Sequence, residues 1–167
     1  MMMVPCGFDQ LAENPEVFKK AKEEQEMIVR NRPSTQKGLT LREIKSMTYL
    51  PKVIDEMMRK TSINFAAFRH AIEDVNMDVW YRAIHMDPQI DPNPHEFNLK
   101  RWDNDGVKTG AFIPFGAGTR ICPERDLAIT SYLTMSELEK VNPKCPVTYI
   151  PVPRPADNCL AKIVKVA

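Results

Sequence analysis

A chain of 167 residues is long enough to bury one core of ordinary domain size. Its 23 Lys+Arg against 22 Asp+Glu leave a net charge of +1, so no basic excess points to nucleic acid or to acidic lipid. The four cysteines (Cys6, Cys122, Cys145, Cys159) form no C-x-x-C pair and no zinc spacing, and read as thiols of a reducing compartment, not as a disulfide framework. The apolar start, Met1 to Phe8, is too short to span a bilayer and lacks the basic n-region of a signal peptide.

Asn14-Pro15 has the form of a helix start, with an N-cap side chain followed by proline at the first helical position. Phe18, Ala21, Gln25 and Ile28 fall near helical spacing, which predicts a helix over Pro15 to Arg30, broken before Pro33. Thr40-Leu41-Arg42-Glu43 reads as a capping box opening a second helix that ends near Tyr49-Leu50. Pro51 starts a third, from Lys52 to Lys60. Between Thr61 and Trp80 short apolar pieces (Ile63, Phe65, Phe68) fit a strand.

With 14 prolines against 6 glycines, and the prolines concentrated after Pro88, long stretches of ordered irregular chain are expected. Asp87 to Pro94 is a proline-punctuated loop, His95-Glu96-Phe97 is read as one helical turn, and Asp103 to Gly110 is polar and turn-rich. After Pro123 a helix is expected through Leu127, Leu133 and Leu138, ending before Asn142-Pro143. The tail from Pro146, with Val147, Tyr149, Val152 and Ile163, suits a small β-hairpin. The resulting class is mainly α with small β elements, and no βαβ alternation appears.

Two constellations carry chemistry. Glu56 and Arg59 lie three apart on the third helix, share a face and can pair. Taken alone, that pair is an ordinary solvated contact worth tenths of a kcal/mol. The second is Phe115-Gly116-Ala117-Gly118-Thr119-Arg120-Ile121-Cys122-Pro123-Glu124. Its two glycines allow a tight, bulged turn because glycine takes positive φ at little cost. A cation and a helix N-terminus near a thiol favour the thiolate, the form that ligates metals and serves as an axial ligand of haem iron.

This run resembles the haem-binding loop of the cytochromes P450, F-x-x-G-x-R-x-C-x-G, with Phe115, Gly118, Arg120 and Cys122 in register and Glu124 in place of the last glycine. Glu56-Met57-Met58-Arg59 resembles the family's E-x-x-R helix, and Leu99-Lys100-Arg101-Trp102 resembles the segment whose arginine joins it. The resemblance runs from Leu11 to the end. In wording it is most like plant ent-kaurenoic acid oxidases and their triterpenoid-oxidising relatives.

It implies the C-terminal, haem-loop (proximal) portion of the P450 fold, truncated. Residues 1–167 would form one partial domain, with helices and loop over 11–110, the haem-thiolate loop over 111–124, and a helix and β-hairpin over 125–167. It also implies a heme b whose iron Cys122 ligates, with Arg120 and Arg69 holding the propionates, Phe115 beside the thiolate and Gly118 in the turn. Glu56, Arg59 and Arg101 would be a buried structural triad, and His85, in an A-x-H-x-D-P stretch, would be structural.

The activity implied is monooxygenation of a terpenoid with O₂ and electrons from an NADPH-dependent reductase. Lys100, Arg101, Lys108 and Arg125 would keep part of a basic docking face. Family members sit at the endoplasmic reticulum membrane, whereas this chain, without an anchor, is expected to be cytoplasmic or peripheral. Three departures bear on activity. The oxygen-activating helix and distal wall are not in the chain, a strand-turn-strand is missing between Asn76 and Trp80, and the helix after Cys122 is altered at Ile129-Thr130-Ser131-Tyr132. Glu124 is expected to weaken haem retention. The alternative is a catalytically inactive truncated paralogue or gene-model fragment, acting as an interaction module for a redox partner.

Overall fold

A computed structural model of the chain describes residues 10–11, 13–33, 35–36, 40–62, 66–70, 76–103, 107–125, 138–140, 146–148, 154–156 and 161–163. Helix α1 spans Pro15–Arg30. It starts at the expected proline, but the side chain of Asn14 makes no cap. Its amide instead turns back and donates to the Gln10 carbonyl at 2.7 Å. Helix α2, Leu41–Ser46, carries the expected capping box: Thr40 Oγ1 accepts from the Glu43 amide at 3.3 Å, and Glu43 Oε2 accepts from the Thr40 amide at 2.7 Å. It ends at Ser46, earlier than expected, because Met47 is already extended.

Helix α3, Leu50–Thr61, is the centre of the fold. Leu50, Val53, Ile54, Met57 and Met58 recur at helical spacing and are all buried. With Ala21 of α1, Met47 and Phe115 they make the hydrophobic core, on which Leu11, Val17, Ile28, Phe97, Leu99, Phe112 and Cys122 also pack. The N-terminus of α3 has no cap from its own flank. Glu24 of α1 supplies one from a distance, accepting the amides of Thr48, Tyr49 and Leu50 at 2.7, 2.9 and 2.8 Å. Burial opposes the charge of Glu24, but these three amide bonds outweigh it and hold its pKa below the ordinary carboxylate value.

Strands β1 (Ala66–His70) and β2 (Asn76–Trp80) pair antiparallel, from Ala66 opposite Trp80 to His70 opposite Asn76. A strand therefore occupies the stretch from Asn76 to Trp80, although the family's strand-turn-strand wording is missing there. The short helix α4, Tyr81–His85, follows directly. His95-Glu96-Phe97 forms no helix; a 3-10 turn forms just beyond, over Leu99–Trp102, where the Asn98 side chain caps the Lys100 amide at 3.0 Å.

Leu138–Lys140 is a strand, β3, and not the end of a helix. Leu127 and Leu138 are three helical turns apart but Leu133 falls off their face, so the series carries no continuous apolar stripe, and residues 126–137 lie outside the described set. Strands β4 (Val147–Thr148) and β5 (Arg154–Pro155) pair antiparallel, as the tail suggested. Strand β6 (Ala161–Ile163) pairs instead with β3, Leu138 opposite Ile163. Among the described residues the tail thus takes part in two ladders, beyond the hairpin that was expected. Among the described residues no helix is long and apolar enough to cross a membrane.

The α3 stripe is the main apolar contribution to stability. Ile54→Ala, at a side chain 2% exposed, is expected to lower unfolding free energy by about 2–5 kcal/mol. Leu41→Ala, at 75% exposure, should change it by less than about 0.5 kcal/mol. Urea melts of the two variants check the pair.

Candidate functional site

Glu56 has no exposed surface, and five donors converge on its carboxylate. Arg59, one turn on, binds it through both edges of its guanidinium, Nε to Oε2 and Nη2 to Oε1, each at 2.9 Å. The Asn98 amide reaches Oε1 at 3.0 Å, Arg101 Nε reaches Oε1 at 3.2 Å, and Trp102 Nε1 reaches Oε2 at 3.1 Å. Burial alone would raise the pKa of Glu56; the Arg59 and Asn98 bonds, with the fields of Arg59 and Arg101, more than reverse that and hold it low.

The structure therefore brings Glu56, Arg59 and Arg101 together, and it adds a fourth member. Asp91 binds Arg101 Nη1 through Oδ1, and its Oδ2 lies 3.6 Å from Arg59 Nη1. Two carboxylates and two guanidiniums thus balance. Backbone takes most of the remaining donors: Arg59 Nη1 reaches the His85 carbonyl at 2.9 Å (and the Met86 sulfur at 3.5 Å), Arg59 Nη2 the Glu96 carbonyl at 3.3 Å, and Arg101 Nη2 the carbonyls of Asn93 and Glu96, both at 3.0 Å. One cluster ties α3 to the proline-rich loop and to the 3-10 turn.

His85, 2% exposed, sits beside this cluster. Its Nε2 lies 3.1 Å from the amide of Ile113. A backbone N–H only donates, so Nε2 is the bare nitrogen and the ring proton is on Nδ1. Nδ1 donates to Ser62 Oγ at 2.9 Å, and Ser62 passes its own proton to the Arg59 carbonyl at 2.8 Å. Desolvation, and then the nearby Arg59 charge, push His85 down to about 4.

The Cys122 loop hangs from this scaffold. Gly116 and Gly118 take φ of +76° and +69°, the left-handed region the turn needs. The Gly116 amide donates to the Ile113 carbonyl at 3.0 Å, and the Cys122 amide returns to the Phe115 carbonyl at 3.0 Å. Phe115 is buried in the core and Cys122 packs half-buried against it as a free thiol. A 3-10 turn over Gly118–Arg120 leaves Ile121 45% exposed, and Glu124 is exposed. Arg120 ends that turn and Arg69 lies in β1 opposite Met77; both side chains lie outside the described set. Of the basic residues near the loop, Lys100, Lys108 and Arg125 are exposed, whereas Arg101 is committed to the cluster.

Residues 4–135 match the family described as Cytochrome P450. The chain belongs to the cytochrome P450 family. It is 50% identical to a 7,8-epoxymelianol synthase of Citrus sinensis over 93% of this chain and 36% of that protein. It is 45% identical to an ent-kaurenoic acid oxidase of Oryza sativa subsp. japonica over 94% of this chain and 35% of that protein. The chain thus spans about a third of these P450 relatives. The crystal structure of the cytochrome P450DA heme domain superimposes with a TM-score of 0.73 at 19% identity, covering 98% of this chain and 40% of that one. The fold is accordingly a partial P450 fold.

The loop's chemistry fits the haem-thiolate cofactor that the family implies. Among the described residues no group of three His, Cys, Asp or Glu is placed to hold a bare metal ion. A single half-buried thiol on this loop is the kind of donor that a haem-thiolate centre would use. Among the described residues nothing lies within 4 Å of the place a side chain at Gly118 would begin, so that side of the loop is open.

The P450 signature omits Asp91, Glu24 and Asp55. Asp55 of α3 is pushed up to about 6 by burial, partly offset by the Arg125 charge. It opposes His85 in the pH dependence of stability. The unfolded chain protonates His85 near 6.5 and the folded chain only near 4, so acidification through that window removes about 3 kcal/mol. The folded chain protonates Asp55 near 6, above its ordinary 3.8, so the same acidification returns about 2 kcal/mol. Asp55→Asn should therefore lose about 2 kcal/mol more than the parent between pH 6.5 and pH 4. Parallel stability curves in denaturant melts would contradict this.

Proposed function

We propose that this chain is the haem-holding proximal portion of a P450 monooxygenase acting on a polycyclic terpenoid of the ent-kaurenoic acid or triterpenoid kind. The observation that carries the proposal is the loop geometry: two left-handed glycines and the Cys122-to-Phe115 backbone bond present a single half-buried thiol on the core. The names of two relatives, an ent-kaurenoic acid oxidase and a 7,8-epoxymelianol synthase, support the substrate class.

In this reading residues 111–124 form the haem-thiolate loop and Cys122 ligates the iron of heme b. Arg120 and Arg69 pair with the propionates, which a buried carboxylate requires. Phe115 shields the sulfur from water on the core side, and Gly118 keeps the loop free of a side chain where the ring would lie. Thiolate-ligated haem supplies oxygen activation, and the protein contributes orientation and electrostatics. The charge cluster holds the loop's support and takes no part in bond making. Electrons come from an NADPH-dependent reductase at the endoplasmic reticulum membrane, where family members work, and the exposed Lys100, Lys108 and Arg125 supply part of the basic docking face.

The test is a haem titration of the purified chain with a reduced, CO-bound spectrum. A red-shifted, thiolate-type Soret band is expected, absent in Cys122→Ser. Glu124→Gly should retain haem more tightly, since it removes a negative charge beside the ligand. An unchanged spectrum in Cys122→Ser would overturn the assignment.

A further inference from the structure

Among the described residues the charge cluster and the cysteine loop share no direct side-chain bond, yet His85 touches both. His85 is locked in a single tautomer: Nδ1 donates to Ser62 Oγ at the C-terminal end of α3, and Nε2 accepts the amide of Ile113. Its own carbonyl accepts Arg59 Nη1 from the cluster at 2.9 Å. The ring also lies against Phe112, centroids 5.5 Å apart, and Phe112 packs edge-on to Trp102 at 4.7 Å.

Ile113 is where this reaches the thiol. Its amide is held by His85, and its carbonyl is held by the Gly116 amide at 3.0 Å. That second bond fixes the first left-handed glycine of the turn, and two residues of chain then place Phe115, whose carbonyl takes the Cys122 amide. Ser62, the anchor on the other side, sits at φ +43°, a conformation unusual for a residue with a side chain. Its hydroxyl bridges the Arg59 carbonyl and His85, two bonds available to it in that pose.

We propose that His85 is a positioning residue for the thiolate loop, setting the place of Cys122 by holding the Ile113 amide against the end of the E-x-x-R helix. For its consequence on haem the inference rests on the proposed role of Cys122; the positioning itself does not. Only a bare ring nitrogen can receive the Ile113 amide, so a side chain with an acceptor at the Nε2 position should substitute. One reaching only to the Nδ1 position should not.

His85→Gln reaches the Nε2 position with its amide oxygen, and His85→Asn reaches only as far as Nδ1. Hydrogen exchange is followed on the whole 167-residue chain without haem, with both variants compared at matched global stability. One lost buried hydrogen bond corresponds to about tenfold faster opening, so the Ile113 and Cys122 amides should exchange about tenfold faster in His85→Asn than in His85→Gln. Ile113→Pro, which deletes the donor and leaves the histidine, should speed the Cys122 amide likewise and serves if His85→Asn fails to fold.

Haem titration adds the second readout. His85→Gln should keep the thiolate-type Soret band, and His85→Asn should lose it along with about tenfold in affinity, the equivalent of one such bond. Equal exchange at Cys122 in the Gln and Asn variants, or a Cys122 amide unchanged in Ile113→Pro, overturns the proposal. A parent chain whose haem spectrum ignores Cys122→Ser overturns the haem assignment instead, and the exchange comparison still decides the positioning role.

Discussion

A carboxylate sealed from water is costly unless the protein replaces every hydration partner, and Glu56 makes that demand at the centre of α3. Its five donors come from α3 itself, from the Asn98 backbone and from the side chains of Arg101 and Trp102. Satisfying it therefore requires the segment from His85 to Trp102, mostly irregular chain, to close on the helix. The two arginines demand in turn a second carboxylate, which Asp91 provides, and carbonyls, which His85, Asn93 and Glu96 provide. Loop order follows from charge accounting. No regular secondary structure is needed to hold Asp87 to Asn98 in one shape.

The same helix carries the apolar stripe on its other side, so α3 is the element where core packing and charge pairing meet. Phe115 joins the stripe and His85 joins the cluster, and the cysteine loop is anchored through both. The thiol's place is thus set by two kinds of force with different failure conditions. Apolar packing is insensitive to pH, whereas the hydrogen-bonded side depends on His85 remaining neutral and on Glu56 remaining charged.

Much of this was legible in the sequence where local rules operate. The bounds of α1 follow from Asn14-Pro15 and the apolar spacing, the capping box at Thr40 is a short-range signal, and the glycines at 116 and 118 announce a turn that only positive φ closes. Glu56, Arg59 and Arg101 were readable as a set only through the family resemblance, since spacing alone leaves Glu56 and Arg59 an ordinary surface pair. Asp91 was not readable. Its direction depends on loop turns closed by Asp87, whose carbonyl takes the Ile90 and Asp91 amides and whose carboxylate takes the Gln89 amide. Glu24 was missed for a similar reason: it caps a helix 24–26 residues away, and a glutamate on a charged helix carries no local mark of that. The error at Leu138 has the opposite origin, a sparse apolar series accepted as helical although Leu133 falls off the face that Leu127 and Leu138 share.

The central claim is that the charge cluster acts as one buried unit, and a double-mutant cycle on Glu56 and Arg101 tests it most directly. Denaturant melts of Glu56→Ala, Arg101→Ala and the double variant give the coupling. Removing Glu56 strands buried Arg59 and should cost about 3–5 kcal/mol. Removing Arg101 should cost much less once Glu56 is gone, with a coupling of about 1–3 kcal/mol. Losses below about 1 kcal/mol each, additive within about 0.5 kcal/mol, would contradict the account, because they are what solvated surface charges give.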